Sequence, residues 1–160
     1  MSQVFKIQNK YLSSLAQWLQ LLVLDGRKSR ERTRFVKLLQ DRLKEVNGFY
    51  QGLIEKYVKK DKNGRYKTRL VDGVQVFKFE TKKDEKDYIK EVEDLFSEEF
   101  KLDLTEVNKE MLIVIKDIVL NTDYKFGPKE NETSEQQRVS IRLAEEYDKW
   151  CQSFENLTLG

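Results

Sequence analysis

From Phe35 onward the chain carries one sustained apolar pattern. Phe35, Leu39, Leu43, Val46, Tyr50, Leu53 and Tyr57 recur at intervals of 4, 4, 3, 4, 3 and 4. That spacing puts them on a single stripe of an α-helix. Ser29 is a candidate N-cap, and the stripe predicts a helix over residues 29–58, the longest in the chain and roughly 45 Å at 1.5 Å per residue. Gly48 and Gly52 are its weak points, because glycine gains least from helical order.

Shorter patterns flank it. "VFKI" at 4–7 alternates and predicts a strand. Asn9 is placed to cap a helix running to about Leu24 and carrying Leu12, Leu15, Trp18, Leu19 and Leu22, with Asp25-Gly26 as its stop. Asn63-Gly64 and Asp72-Gly73 are two-residue turn signals, and "RYKTRLV" and "VQVFKFE" around them read as paired strands. Thr81 with Asp84 resembles a capping box opening a helix to about Glu99, with Tyr88, Ile89, Val92, Leu95 and Phe96. "FKLDL" at 100–104 is a fourth candidate strand. A helix from about Thr105 carries Met111, Leu112, Ile115, Ile118 and Val119, and Ile113 and Val114 extend its apolar cover, which predicts a central position. "DYKFGPKENETS" reads as a polar loop. Thr133 with Gln136 opens a last helix bearing Val139, Leu143, Tyr147, Trp150, Cys151 and Phe154. The expected fold class is α+β: one mostly helical domain over 1–160, about five helices around a small sheet that includes a β-hairpin near 65–80.

Composition narrows this. Nine Phe, seven Tyr and two Trp among 160 residues supply large groups to bury, which disordered chains lack. No stretch approaches the roughly 20 apolar residues of a membrane span, and "MSQVFKIQNK" lacks the apolar run of a signal peptide. A chain working inside a cell, or in a particle assembled there, is expected, with no membrane partner. Net charge is only +2, but residues 1–80 hold 18 Lys and Arg against 8 Asp and Glu, while 81–160 hold 12 against 20. Either the halves neutralise each other on folding, or the surface is bipolar and meets a partner or another copy.

The chain has no histidine, which removes Ser-His and Cys-His nucleophile pairs. With one cysteine, zinc sites built from His and Cys are also removed. Neither GxxxxGK nor GxGxxG occurs. No cofactor or metal is expected, and no catalytic residue stands out. The nearest approach to catalytic chemistry is Asp94, Glu98, Glu99 and Lys101 at a predicted helix-to-strand junction, since carboxylates and a lysine can serve a magnesium-dependent nuclease. In so charged a chain a solvated face is the stronger reading. Cys151, on the apolar side of the last helix, is expected to pack rather than react.

"DGRKSRERTRFVKLLQDRL", residues 25–43, remains. With Arg27 set at 0° on a helical wheel, Arg34, Arg30 and Lys37 fall between about 280° and 360°, away from the stripe centred near about 100°. The four cations share an outer face at a helix N-terminus, where the dipole disfavours positive charge by about 0.3–1 kcal/mol each. They are the candidate partner-binding residues, against the plainer reading of a solvated face. Arg32 falls at about 140°, on the apolar side, and is expected to form an internal salt bridge with an acid numbered above 80. Nucleic-acid binding by this cluster is an alternative, although the cluster is short and no known nucleic-acid-binding motif accompanies it.

Across "KSRERTRFVKLLQDRLKEV", "NKEMLIVIKDIVLNTD" and "YDKWCQSFENL" the chain resembles a family of short proteins of tailed bacteriophages and prophages of Gram-positive bacteria, encoded between tail and lysis genes. "SRERTRFVKLL" is the most specific segment. The resemblance implies a gene neighbourhood but no activity and no site residues. Together with the missing catalytic motifs, it leads to an expected function. The chain would be a non-enzymatic phage accessory protein that binds another protein, either a phage structural or assembly component or a host factor such as a defence protein. It would work in the host cytoplasm or with the virion, with self-association left open. A nucleic-acid-binding regulator is the alternative, and a metal-dependent nuclease a more distant one.

Overall fold

The structure is a computed structural model, and it describes residues 4–159. Nine elements follow in order: β1 (Val4–Gln8), α1 (Leu12–Leu21), α2 (Gly26–Tyr57), β2 (Thr68–Val71), β3 (Val74–Phe77), α3 (Lys82–Ser97), β4 (Glu99–Asp103), α4 (Glu106–Leu120) and α5 (Ser134–Glu155). The class is α+β and mostly helical, as the periodicities predict. The strands, however, do not form one sheet: β1 pairs with β4, and β2 with β3, in two separate antiparallel pairs. The chain also divides into two compact units, one built from residues 1–43 and 99–160, the other from 44–98.

In the first unit, β1 and β4 pair with Phe5 opposite Leu102 and Ile7 opposite Phe100. Because strand side chains alternate, this register sends Phe5, Ile7 and Leu102 into the core and leaves Lys6 and Lys101 outside. The core is strongly aromatic. Trp18 of α1 stacks on Trp150 of α5 with centroids 5.3 Å apart and planes 26° from parallel. Phe5 packs on Phe154 at 4.9 Å and on Phe35 at 5.7 Å. The Trp150 indole N–H donates to Ser14 Oγ at 3.2 Å, and that hydroxyl donates to the Tyr11 carbonyl at 3.1 Å. Ser14 is fully buried, and this pairing is what makes it tolerable there. The segment after α4 is more than a polar loop: Tyr124 and Phe126 alternate onto one side, with rings 6.1 Å and 5.6 Å from Trp18.

Helix α1 differs from its prediction at both ends. Asn9 does not cap it. It lies in a 3₁₀ turn, Asn9–Tyr11, is buried, and accepts a hydrogen bond at Oδ1 from Arg42 Nε at 3.1 Å. The helix stops at Leu21, and Gly26, at φ +55°, opens α2 rather than closing α1. Helix α4 has one covered face, with Met111, Leu112, Ile115, Ile118 and Val119 inside. Ile113 is 48% exposed, so the helix is not surrounded as its composition suggested.

Helix α2 is 32 residues long and starts three residues before Ser29. Phe35, Leu39 and Val46 are buried as the stripe predicts. Leu53 and Tyr57 are only half covered, and the deepest positions shift by one to Ile54 and Val58. There the second unit has its own small core. Ile54, Val58 and Tyr88 form it, with Phe77 and Phe79 packed against them and the Phe79 and Tyr88 rings 5.2 Å apart. Thr81 Oγ1 caps α3 by accepting from the Asp84 amide, while Ile89, expected on the apolar face, is 47% exposed. Thr133 and Gln136 form the complete capping box of α5. At the hairpin turn Asp72 and Gly73 both have positive φ, +50° and +79°, the type I′ geometry that an Asp-Gly pair favours.

Two outcomes follow for stability. Ser14→Ala removes the acceptor of a buried indole N–H and should cost about 1–3 kcal/mol in urea unfolding. Gly52 is exposed within α2, and a Cβ there would meet nothing within 4 Å. Gly52→Ala should therefore stabilise the chain by about 0.5–1 kcal/mol in the same measurement.

Candidate protein-interaction face of the long helix

The first turns of α2 carry the basic cluster. Arg27, Arg30, Arg34 and Lys37 are all exposed. Two of them are held locally. Arg34 Nη1 lies 3.1 Å from both carboxylate oxygens of Glu31, and Lys37 Nζ lies 3.3 Å from Asp41. Arg27 and Arg30 have no hydrogen bond or ion pair to another side chain among the described residues. An acid from the second half of the sequence does reach this helix end: Asp117 of α4 lies 3.8 Å from Lys28. Acids one turn away and one facing helix thus offset part of the charge that the dipole disfavours.

Arg32 meets no acid. Its Nη1 donates to the Leu19 carbonyl at 3.2 Å and to the Leu22 carbonyl by a shorter bond. The expected salt bridge is replaced by a helix cap. At the end of α1 the Leu19 carbonyl accepts only a long bond from the Leu22 amide, at 3.4 Å, and these last carbonyls carry the negative end of the helix dipole. A guanidinium folded back from the next helix satisfies both needs, so no carboxylate is required on the apolar side. The signal was present in the sequence: a helix end at 21–25 lies close to an arginine on the inward side of the next helix.

The face is convex. Hollows of about 410 Å³ beside β1 and about 700 Å³ at the start of α5 lie in the same unit, and none of the four cations lines either one. Cations outside any such hollow suit contact with another surface better than enclosure of a small molecule.

The acidic junction does not assemble into a metal site. Among the described residues no group of three or more Asp, Glu, Cys or His is placed to hold a metal ion. Glu99 and Lys101 alternate on the exposed side of β4, with Lys101 opposite Lys6 in the ladder. Asp94 and Glu98 belong to the end of α3, where both carry backbone capping bonds. Cys151 is buried, and that burial pushes its thiol above the ordinary range, toward the less reactive neutral form. Beside it the Tyr147 hydroxyl, pushed up to about 12 mainly by burial, donates to the Val119 carbonyl at 2.7 Å.

Among the described residues no helix is long and apolar enough to cross a membrane. No protein-family model matches the chain, and no curated protein or solved structure is similar to it.

Arg32→Met keeps the volume and apolar stem but removes both bonds to the α1 carbonyls. It should cost about 1.5–3 kcal/mol in urea unfolding, the range for hydrogen bonds from a charged group. Arg32→Lys, which retains one donor centre, should lose less.

Proposed function

We propose that this chain is a non-enzymatic phage accessory protein that acts by binding another protein through the basic face at the start of α2. The observation that carries the reading is the state of Arg27 and Arg30. Both are exposed, near a helix N-terminus, and without a side-chain partner among the described residues. Arginine in that position is poorly served by its own helix and well suited to an acidic surface, because its planar fork binds carboxylates in two places. Arg34 and Lys37 extend the face. Their intrahelical pairs are worth only about 0.3–0.5 kcal/mol, so a partner's carboxylates can displace Glu31 and Asp41.

The phage assignment rests on the resemblance of the three sequence stretches. The partner class is a phage structural or assembly component or a host factor met in the host cytoplasm. Nucleic acid is less well served, because the cluster has no exposed ring on which a base could stack: Phe35, its one aromatic, is fully buried.

Arg30→Glu with Arg34→Glu tests the reading. The double variant should unfold within about 0.5 kcal/mol of the parent, as surface changes do. It should lose the partner that the parent retains in a pull-down from infected cells, mainly through a lower association rate. A folded double variant that keeps its full partner set leaves the face a merely solvated one. Loss of nucleic acid alone would transfer the function to the regulator reading.

A further inference from the structure

The β2–β3 hairpin is a short antiparallel pair with both edges open. Its ladder is Thr68–Phe77, Arg69–Val76, Leu70–Gln75 and Val71–Val74. The Lys78 amide donates to the Lys67 carbonyl at 2.9 Å. Stepping by two from that bonded pair makes 69–76 and 71–74 the bonded pairs. The backbone N–H and C=O groups of Thr68 and Leu70 on one edge, and of Gln75 and Phe77 on the other, therefore point outward. No other described residue hydrogen-bonds them. Short strands bearing Arg69, with Lys67 and Lys78 at their ends, repel another basic strand and leave the edge open to one of opposite charge.

The two faces differ in kind. Thr68, Leu70, Gln75 and Phe77 share one, and Phe77 turns inward, its ring 6.2 Å from Tyr66 and 6.4 Å from Tyr88. Lys67, Arg69, Val71, Val74, Val76 and Lys78 share the other. Both faces are open near the turn, Leu70 being 69% and Val74 62% exposed, but only this one carries cations, and its Arg69 and Lys78 are exposed. Lys67, Arg69 and Lys78 have no ion pair among the described residues. Arg69, Lys78 and Lys82 also line a hollow of about 320 Å³ at the base of the hairpin, where Glu80 is taken up by Lys59 at 3.6 Å and Glu85 is the other acid. Between residues 59 and 83 the chain holds nine Lys and Arg against three Asp and Glu.

We infer that the β2–β3 hairpin is a docking site for an extended acidic segment of a protein partner, added as a third strand along the free edge of β3. The segment's backbone pairs with the outward groups of Gln75 and Phe77, its apolar side chains lie beside Val74 and Val76, and its carboxylates reach Lys78, Arg69 and Lys82. Three other occupants fit less well, each for a physical reason. A lipid bilayer would take in the valines, but also the unpaired backbone groups of both edges, which hydrocarbon cannot satisfy. A second copy pairing hairpin to hairpin would bring two strongly basic strands together. Single-stranded nucleic acid would find no ring to stack on, since the large exposed side chains here, Leu70, Val71 and Val74, are aliphatic. This site lies apart in sequence from the α2 face and goes beyond the function proposed for it.

The test uses the full chain and a fluorescein-labelled octapeptide of alternating Glu and Val, read by anisotropy. Saturable binding is expected. Arg69→Glu with Lys78→Glu should weaken it at least tenfold, and Val74→Ser should weaken it while leaving the far-UV spectrum and melt unchanged. N-methylation of alternate probe amides should abolish binding in one of the two alternate sets, because a paired strand offers its donors from every second residue. Arg30→Glu with Arg34→Glu should bind the probe like the parent, so that failure of one site is not mistaken for failure of the other. The inference is overturned if no saturable binding occurs, or if both methylated probes bind as well as the parent peptide, which would mean charge attraction alone. It is equally overturned by a concentration-dependent dimer that Val74→Glu dissolves, or by co-sedimentation with phosphatidylserine vesicles that Val74→Glu abolishes.

Discussion

The stacking of Trp18 on Trp150 is the contact on which the larger unit depends. It joins helices 132 positions apart in sequence, and closing so long a loop has a large entropic cost that only extensive burial offsets. The indole pair supplies that burial, and the Ser14 hydroxyl satisfies the polar atom that one indole carries inside. Other rings then gather around the pair. Tyr124 and Phe126 are drawn in from the segment after α4, and Tyr147 closes the side next to Val119. The β1–β4 ladder repeats the same long-range closure in hydrogen bonds, between residues 4–8 and 99–103. Trp18 itself keeps its own indole N–H buried without an acceptor among the described residues, so its apolar packing must outweigh that loss.

Against this core the charges of α2 sort themselves by what lies behind each one. Arg32 and Arg34 are two residues apart, yet one ends a neighbouring helix and the other lies in water beside Glu31. The difference comes from a 200° separation around the helix, at 100° per residue. A basic cluster is therefore several roles written in one run. Counting its charge overstates what is offered to a partner, because Arg32 is spent on α1 and Lys28 faces Asp117.

Much of this architecture could be read in the sequence, where local chemistry decides it. The Asp72-Gly73 turn, the Thr133 capping box and the period of the long helix each have a physical signature a few residues long. The readings that failed concern positions decided by distant partners. Asn9 looked like a cap because its side chain suits one, but Arg42, 33 residues on, takes that oxygen. Arg32 looked like half of an ion pair because an inward cation needs negative charge. Backbone carbonyls supplied it, from a helix end that the sequence places nearby without showing that it faces Arg32. Ile113 and Ile89 show the same limit from the apolar side, since hydrophobicity does not say which face has a neighbour. The split of the strands into two sheets depends on pairing over more than 90 residues and leaves no local trace. Likewise the basic face of the hairpin shows only once the register sorts its alternate side chains.

The division of the chain into segments also sets an order in time. The smaller unit is continuous in sequence, residues 44–98, so all its parts leave the ribosome together. The larger unit is interrupted by it and waits for residues 99–157. During synthesis α1 emerges with Leu12, Leu15, Trp18 and Leu19 bare, and α5, the helix that covers them, follows only after the whole of the smaller unit. Until α5 is made, the nascent chain thus presents an aromatic, leucine-rich surface without its lid. The late arrival of Trp150 is the event that removes it, and in the cell this interval is when a chaperone has most to hold.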